Sequence, residues 1–179
     1  SGHPHRRRDV AGARGALSSR AMPTHIALLR AINVGGTGKL PMAELRALCE
    51  SIGFTNVRTY IQSGNVVFES RLSAVRAKRA LEDALERRLG KRHAALLRSV
   101  DELVDVETRN PFRDADPKRV LVVFLDDAPP RTVMKGVKIP GREQLHLDGR
   151  ELFIHFPDGM GTSKLKVPLA DQGTGRNLN

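Results

Sequence analysis

The chain has 179 residues, enough for one ordinary domain or two small ones with a buried core. No apolar run approaches the roughly 18 residues that a membrane-spanning helix needs, so we expect no membrane partner. The single cysteine excludes an internal disulfide and is typical of a reducing cytoplasm, so we expect a cytoplasmic protein.

The formal net charge of +10 permits binding to nucleic acid, but the charge is unevenly distributed. Residues 71–98 contain nine basic and three acidic residues, and residues 1–21 contain five Arg and one Asp. A predicted basic helix over 71–92 is therefore the basis of a nucleic-acid-binding hypothesis. Glu82, Asp83 and Glu86 interrupt its positive face, which is equally typical of a solvated helix.

The first 21 residues lack hydrophobic periodicity and are rich in Arg, Gly and Ser. We expect a disordered leader or the remnant of a tag over 1–21, with Met22 as the natural start. An Arg-rich, acid-poor leader is also typical of a targeting peptide.

From Thr24 to Ile32 the chain is apolar on both alternating faces, which predicts a central strand covered on both sides. A glycine-rich segment, 33–39, leads to Pro41, a favoured first residue of a helix. Helical spacing of apolar residues then extends to Ile52, and Gly53 is the expected stop. Cys49 lies on the apolar stripe, so we interpret it as a buried core thiol and not as a nucleophile.

A hairpin is predicted next, with Gly64-Asn65 as a two-residue turn that pairs Ile61 with Phe68 and Tyr60 with Glu69. This register separates the apolar positions from the polar ones cleanly. Ser73 is the expected cap of a second helix that ends near Leu89, and a short strand follows at 94–97. The element order βαββαβ predicts a ferredoxin-like unit over residues 22–98.

A similar order is predicted less clearly over residues 99–179. Ser99 and the acidic segment after it indicate a linking helix, Val120–Leu125 indicates a buried strand, and 126–141 fits either a short helix or a loop. A second hairpin turns at Asp148-Gly149, and a helix over 162–170 is interrupted at Pro168. In this hairpin the side chains expected to point away from the core are Gln144, His146, Glu151, Phe153 and His155. The predicted fold class is α+β, with tandem ferredoxin-like βαββαβ units and antiparallel sheets.

The segment Gly35-Gly36-Thr37-Gly38-Lys39 resembles a phosphate loop only in part. Leu40 and Pro41 follow the lysine where the motif requires a Ser or Thr as a Mg²⁺ ligand, so the sequence excludes a nucleoside triphosphatase of that type. Glycine-rich backbone before a helix can still hold an anion. A plain strand–helix connection is the alternative interpretation.

No other catalytic or metal-binding pattern emerges. In the predicted register His146 and His155 lie roughly 13 Å apart along the hairpin, too far for one metal ion. Ser63 falls in a predicted turn, where Ser is common for backbone reasons. The sequence implies no metal and no cofactor, and an enzyme without an identifiable catalytic group stays as an alternative.

The leading hypothesis is a binding module for a small anionic or polar ligand near the end of the first strand. Its candidate residues share polar, basic or glycine character and flank the predicted loops; they are Arg30, Asn33, Gly35, Gly36, Lys39, Tyr60, Gln62, Ser63, Asn65, Arg176 and Asn177. The sequence does not specify an oligomeric state.

Two long segments, ALLRAINVGGTGKLPMAELR and GFTNVRTYIQSGNVVFES, resemble a bacterial family known as domain of unknown function 1697. PDGMGTSKL and GTGRN are similar to the same family, so the resemblance extends over residues 22–179. It implies tandem ferredoxin-like units and no particular reaction. Ala31 stands where the family usually has Gly, and a further helix usually follows Asn177, so we expect a truncated second unit.

Overall fold

The computed structural model describes residues 21–33, 39–60 and 64–178. Within these residues it has three α-helices and two four-stranded antiparallel sheets, which confirms the α+β prediction. Residues 1–20 of the leader predicted over 1–21 lie outside the described residues.

The first sheet is built from four strands with two helices between them. The elements are β1 (Thr24–Leu29), α1 (Met42–Ser51), β2 (Thr55–Tyr60), β3 (Asn65–Glu69), α2 (Ala74–Leu89) and β4 (Ala95–Arg98). The strand order is β2-β3-β1-β4, so β1 is a central strand, as its apolar residues on both faces predict.

The second sheet follows a linking helix and has the same relative strand order, β6-β7-β5-β8. Its elements are α3 (Val100–Arg109), β5 (Val120–Phe124), β6 (Gln144–Asp148), β7 (Glu151–His155) and β8 (Thr174–Asn177). Short 3₁₀ turns at Pro117–Arg119, Arg131–Met134 and Pro168–Gln172 lie between them.

The helix ends follow the local sequence. Pro41 precedes α1, and Gly53 after it has a φ of 90°, as expected at a C-terminal stop. The Ser73 side chain accepts a hydrogen bond from the Arg76 N–H and caps α2, as predicted. Ser99 and Glu102 form a reciprocal capping box that starts α3.

The predicted register of the first hairpin is wrong by four residues. Tyr60 pairs with Asn65, so Asn65 belongs to β3 and the connection covers residues 61–64. The cause is tertiary: Asn65 also pairs with Leu28 of β1, which extends β3 beyond the expected turn. A shift by an even number of residues leaves every side chain on its predicted face. The predicted pair involving Ile61 falls outside the described residues.

The second hairpin is displaced by two residues from its predicted register. Asp148 pairs with Glu151, and His146 pairs with Phe153, so the turn is Gly149-Arg150. The helix predicted over 162–170 is wrong: residues 162–167 are irregular, and only a 3₁₀ turn begins at Pro168. Proline lacks the N–H that an α-helix would need there.

Three apolar clusters hold the layers together. The first joins β1 residues Ala27 and Leu29 to α1 and α2, and the second packs irregular segments against the outer face of β5 and β7. The third lies between the two sheets, where Leu28 of β1 and Leu96 of β4 are clustered with Phe124, Phe153 and Val106 of α3. The second sheet therefore covers part of the first sheet's remaining face.

This arrangement changes the environment of the second hairpin. Glu151 and Phe153 were expected to point toward solvent, yet their exposed fractions are 4% and 0%. Their side of β7 lies against the third cluster and α3, which no local pattern in the hairpin indicates.

Candidate functional site

A cleft of about 780 Å³ opens between the two sheets, on the face of the first sheet opposite α1 and α2. The apolar part of its lining comes from both sheets, from α3 and from the segment after α3. These residues are Ile26, Leu28, Val67, Leu103, Val106, Phe112, Ala115, Pro117, Val120, Phe124 and Leu178. Its volume is in the usual range of small-molecule sites.

Three polar side chains of the cleft, Tyr60, Asn65 and Arg176, are brought together at one end of the first sheet. Tyr60, Asn65 and Leu28 lie side by side across β2, β3 and β1. Arg176 of β8 approaches from the second sheet, and its Nε donates a hydrogen bond of 2.8 Å to Asn65 Oδ1. Two of the polar residues in the sequence hypothesis are thereby joined across the cleft.

Arg176 also connects the backbones of the two sheets. Its Nη2 donates to the Leu29 carbonyl oxygen at 2.9 Å, and its Nη1 donates to the Gly175 carbonyl oxygen at 2.9 Å. Burial lowers the pKa of Arg176, but a guanidinium stays protonated in proteins. The cleft wall therefore carries a fixed positive charge.

The lining residues are mixed in charge. Among those that the structure describes, Glu107, Arg113 and Arg176 are charged, which leaves one net positive charge. Asn177 lines the same wall, and its Nδ2 donates to the Lys118 and Val120 carbonyl oxygens at 3.2 Å each. Tyr60 is half exposed at the cleft, with an exposed fraction of 50%.

Three further candidates that the structure describes, Arg30, Asn33 and Lys39, are not among the residues that line the cleft. The Arg30 guanidinium donates to the Asp171 carbonyl oxygen of the second half. Asn33 holds the base of the glycine-rich loop, because its Nδ2 donates to the Leu40 carbonyl oxygen at 3.0 Å and its Oδ1 accepts from the Leu40 N–H at 2.7 Å. Lys39 is exposed beside this pair. Gly35, Gly36, Gln62 and Ser63 lie outside the described residues.

Sequence reasoning missed the apolar lining of the cleft and the contribution of α3. One signal was available: Ile26, Leu28 and Val67 are apolar residues on the sheet face that α1 and α2 do not cover. Alternation shows that such a face needs a cover, but it does not show that the cover leaves a cleft.

Other chemistry finds little support in the described part of the chain. No group of three or more His, Cys, Asp or Glu side chains there could hold a metal ion. Burial raises the pKa of Cys49 to about 12, with a smaller contribution from Glu50, so the thiol is unreactive near neutral pH. No described helix combines the length and apolar character needed to span a bilayer.

Part of the positive charge of the basic helix α2 is neutralised by acidic side chains of the same chain. Arg88 is paired with Glu44 of α1, and Lys78 is paired with Asp126 of the second half. After the helix, Arg92 lies 3.0 Å from Glu82 and 2.9 Å from Glu86. These ion pairs weaken the case for α2 as a nucleic-acid surface.

The structure is similar to a solved structure, that of the conserved bacterial protein SP0830 from Streptococcus pneumoniae. The TM-score is 0.73 at 27% sequence identity, and the match covers 88% of this chain and 94% of the other. A comparison with curated proteins finds no match. A family model described as "Protein of unknown function (DUF1697)" matches residues 22–153, and the chain therefore belongs to this family.

Proposed function

We propose that this protein is a binding module for a small polar or anionic organic ligand, which occupies the cleft between the two sheets. The observation that carries the proposal is the convergence of Tyr60, Asn65 and Arg176 at one end of an apolar cleft of about 780 Å³. The family description names no activity, so the cleft is the basis of the proposal.

Size and composition support a ligand site. Small-molecule sites are mostly apolar cavities with a few well-placed polar groups. Here Ile26, Leu28 and Val67 supply an apolar floor, and Phe112 and Phe124 are among the residues opposite them. A ligand with an apolar body would gain free energy from leaving water in such a cleft.

Charge supports the anionic part of the proposal. Arg176 is held in place by the Asn65 side chain and by two backbone carbonyl oxygens, so its guanidinium is oriented before any ligand arrives. A fixed, partly desolvated cation favours an anion more strongly than a mobile surface lysine does.

We further propose that residues 22–98 and 99–178 are tandem ferredoxin-like units in a bacterial cytoplasmic protein. The element order βαββαβ and the strand order β2-β3-β1-β4 of the first half support this, as does the same relative order in the second sheet. In the second half, 3₁₀ turns stand at the positions that α1 and α2 occupy in the first. The single cysteine and the similarity to a streptococcal protein favour the cellular setting.

The test is a thermal-shift screen of the whole chain against a broad library of organic acids, phosphates and polar metabolites. Calorimetry then measures the affinity of each hit for the unchanged protein and for Val67→Trp. Val67 is a partly exposed strand residue in the cleft floor, and the larger side chain of Trp fills part of the cleft. We expect affinity to fall by about tenfold or more, because the indole takes the ligand's place.

Val75→Trp is the matched control. Val75 is 78% exposed in the first turn of α2, and the cleft lining does not include it. The control is expected to bind the hits with the same affinity as the unchanged protein. A library without hits, or hits that bind Val67→Trp unchanged, would contradict the proposed site.

A further inference from the structure

Building on the proposed function, we infer that the ligand is a planar organic anion, whose ring stacks on Tyr60 and whose anionic group lies at Arg176. The site would then select one chemical class from the polar and anionic molecules of the proposed function. Two sources share this chemistry: an aromatic carboxylic acid and a nucleoside monophosphate.

We expect a planar ring in the ligand because of the position of Tyr60. It is the chain's single tyrosine, and half of its surface is exposed although it borders an apolar cleft. It stands at the end of β2, on the sheet face that also carries Leu28 and Val67. An exposed aromatic ring on an open sheet face is a stacking platform for planar rings.

We expect an anionic group in the ligand because Arg176 carries a positive charge beside the Tyr60 row. Tyr60 is the cross-strand neighbour of Asn65, and Asn65 Oδ1 accepts the hydrogen bond of 2.8 Å from Arg176 Nε. The Arg176 guanidinium is thus held near the Tyr60 row. Arg113 adds a second cation to the lining, against the single carboxylate of Glu107. The net positive charge of the lining favours a carboxylate or a phosphate group.

We assign the ring and the anionic group to one ligand because Tyr60 and Arg176 are both neighbours of Asn65. Stacking alone would accept neutral rings, and a cation alone would accept any small anion. A site with both prefers a molecule that has a ring and an anionic group next to each other, and it loses free energy when either is missing.

The experiment compares four probes by calorimetry on the whole chain: 2-naphthoate, its neutral amide 2-naphthamide, its saturated analogue decahydro-2-naphthoate, and AMP. We expect 2-naphthoate or AMP to bind about tenfold more tightly than the amide and the saturated acid, since each of those lacks one of the two interactions. Tighter binding of 2-naphthoate indicates an aromatic acid as the source, and tighter binding of AMP indicates a nucleotide.

Two variants test whether Tyr60 is the platform. Tyr60→Leu is expected to lower the affinity for the tighter-binding planar anion by about tenfold. Tyr60→Phe retains a ring, and its affinity for the same anion is expected to stay within about twofold of that of the unchanged protein. Position 60 tolerates both residues because Tyr60 is half exposed at a strand end.

Four results would overturn the inference: no binding of any probe, equal binding of the neutral amide, equal binding of the saturated acid, or equal binding by Tyr60→Leu. Each leaves the proposed function standing if the broad library still gives hits that Val67→Trp abolishes. If those hits are absent as well, the proposed function fails too.

Discussion

At the scale of single residues, the exit from β1 is notable for its backbone conformation. Ala31 and Asn33 have φ values of 54° and 59°, in the left-handed region. This region costs a residue with a Cβ roughly 1–2 kcal/mol, and Asn tolerates it better than Ala. The resemblance noted above places Gly where this chain has Ala31, and glycine would adopt the observed φ without strain.

We therefore predict that Ala31→Gly raises the free energy of unfolding by about 0.5 kcal/mol, because relief of the strain exceeds the greater freedom of glycine in the unfolded chain. Urea denaturation measures the change. Ala47→Gly, at an exposed position inside α1, is the control and is expected to lose about 1 kcal/mol. The prediction would be contradicted if Ala31→Gly lowered the free energy of unfolding as much as the control does.

Gly64 shows a second residue-scale constraint. A Cβ there would lie 3.0 Å from Leu29 Cβ, and the glycine has a φ of 82°. The Leu29 N–H donates to the Gly64 carbonyl oxygen, so the close approach continues the pairing of β1 with β3 beyond Asn65. Gly64 therefore lies in the connection between β2 and β3, as the sequence predicts, and it also bonds to the neighbouring strand β1.

At the scale of elements, α3 connects the two halves of the molecule. Val106 packs in the cluster between the sheets, and Glu102 accepts hydrogen bonds from the Ser99 N–H and from Arg150, both at 2.7 Å. Burial by itself would raise the pKa of Glu102. The Ser99 N–H and the Arg150 charge outweigh it, and the net pKa of Glu102 is lowered.

A lowered pKa in the folded state fixes the sign of the pH dependence. The carboxylate stabilises the fold above the pKa of the unfolded chain, and this contribution is lost as the pH falls through the lower folded-state pKa. We predict that Glu102→Gln lowers the free energy of unfolding at pH 7 by about 1 kcal/mol at most, since solvent screens this half-exposed group. The difference from the unchanged protein should shrink in acid.

Denaturation at a series of pH values measures this effect. Glu107→Gln is the control from the same helix, because Glu107 lies near the C-terminal end, where a negative charge is unfavourable. The control is expected to leave the free energy of unfolding at pH 7 unchanged or slightly raised. A Glu102→Gln difference that stays constant down to pH 2 would contradict the assigned role.

At the scale of the whole molecule, a buried ion network joins the sheets. Glu151 of β7 lies 3.1 Å from the Arg98 guanidinium of β4 and 2.8 Å from the Arg109 guanidinium of α3. Arg98 also donates to the Leu125 carbonyl oxygen at 2.7 Å. Burial lowers the pKa of Arg98, and the hydrogen bond to Glu151 raises the pKa of Arg109.

We predict that Glu151→Ala lowers the free energy of unfolding by about 3 kcal/mol, because it leaves the Arg98 charge buried without its carboxylate. Urea denaturation followed by both circular dichroism and tyrosine fluorescence measures the loss. The unchanged protein should unfold in one transition, since the third apolar cluster and this network connect both halves.

Glu50→Ala is the matched control, because Glu50 forms an exposed pair with Arg46. It is expected to change the free energy of unfolding by less than about 0.5 kcal/mol. An equally small loss for Glu151→Ala, or two separate transitions in the unchanged protein, would show that the network does not couple the halves.

The sequence by itself determined the local structure of this protein. Periodicity predicted β1 as a strand covered on both faces and assigned the side chains of both hairpins to their faces. Ser73 was the predicted cap of α2, and Ser99 with the acidic segment after it indicated α3. All of these features depend on neighbours a few residues apart. The register of both hairpins was not determined in the same way. Asn65 pairs with Leu28 of β1, and Asp148 pairs with Glu151, so both strands include a residue that the turn pattern placed in a turn.

Only the tertiary structure decided where the two halves meet. Arg176 and the Leu29 carbonyl oxygen are 147 residues apart in sequence, yet they are 2.9 Å apart in the folded chain. Burial of Glu151 and the gathering of Tyr60 and Asn65 with Arg176 both follow from the packing of the second sheet on the first. Such packing depends on complementary surfaces of distant segments, and the period of a single strand or helix carries no information about it.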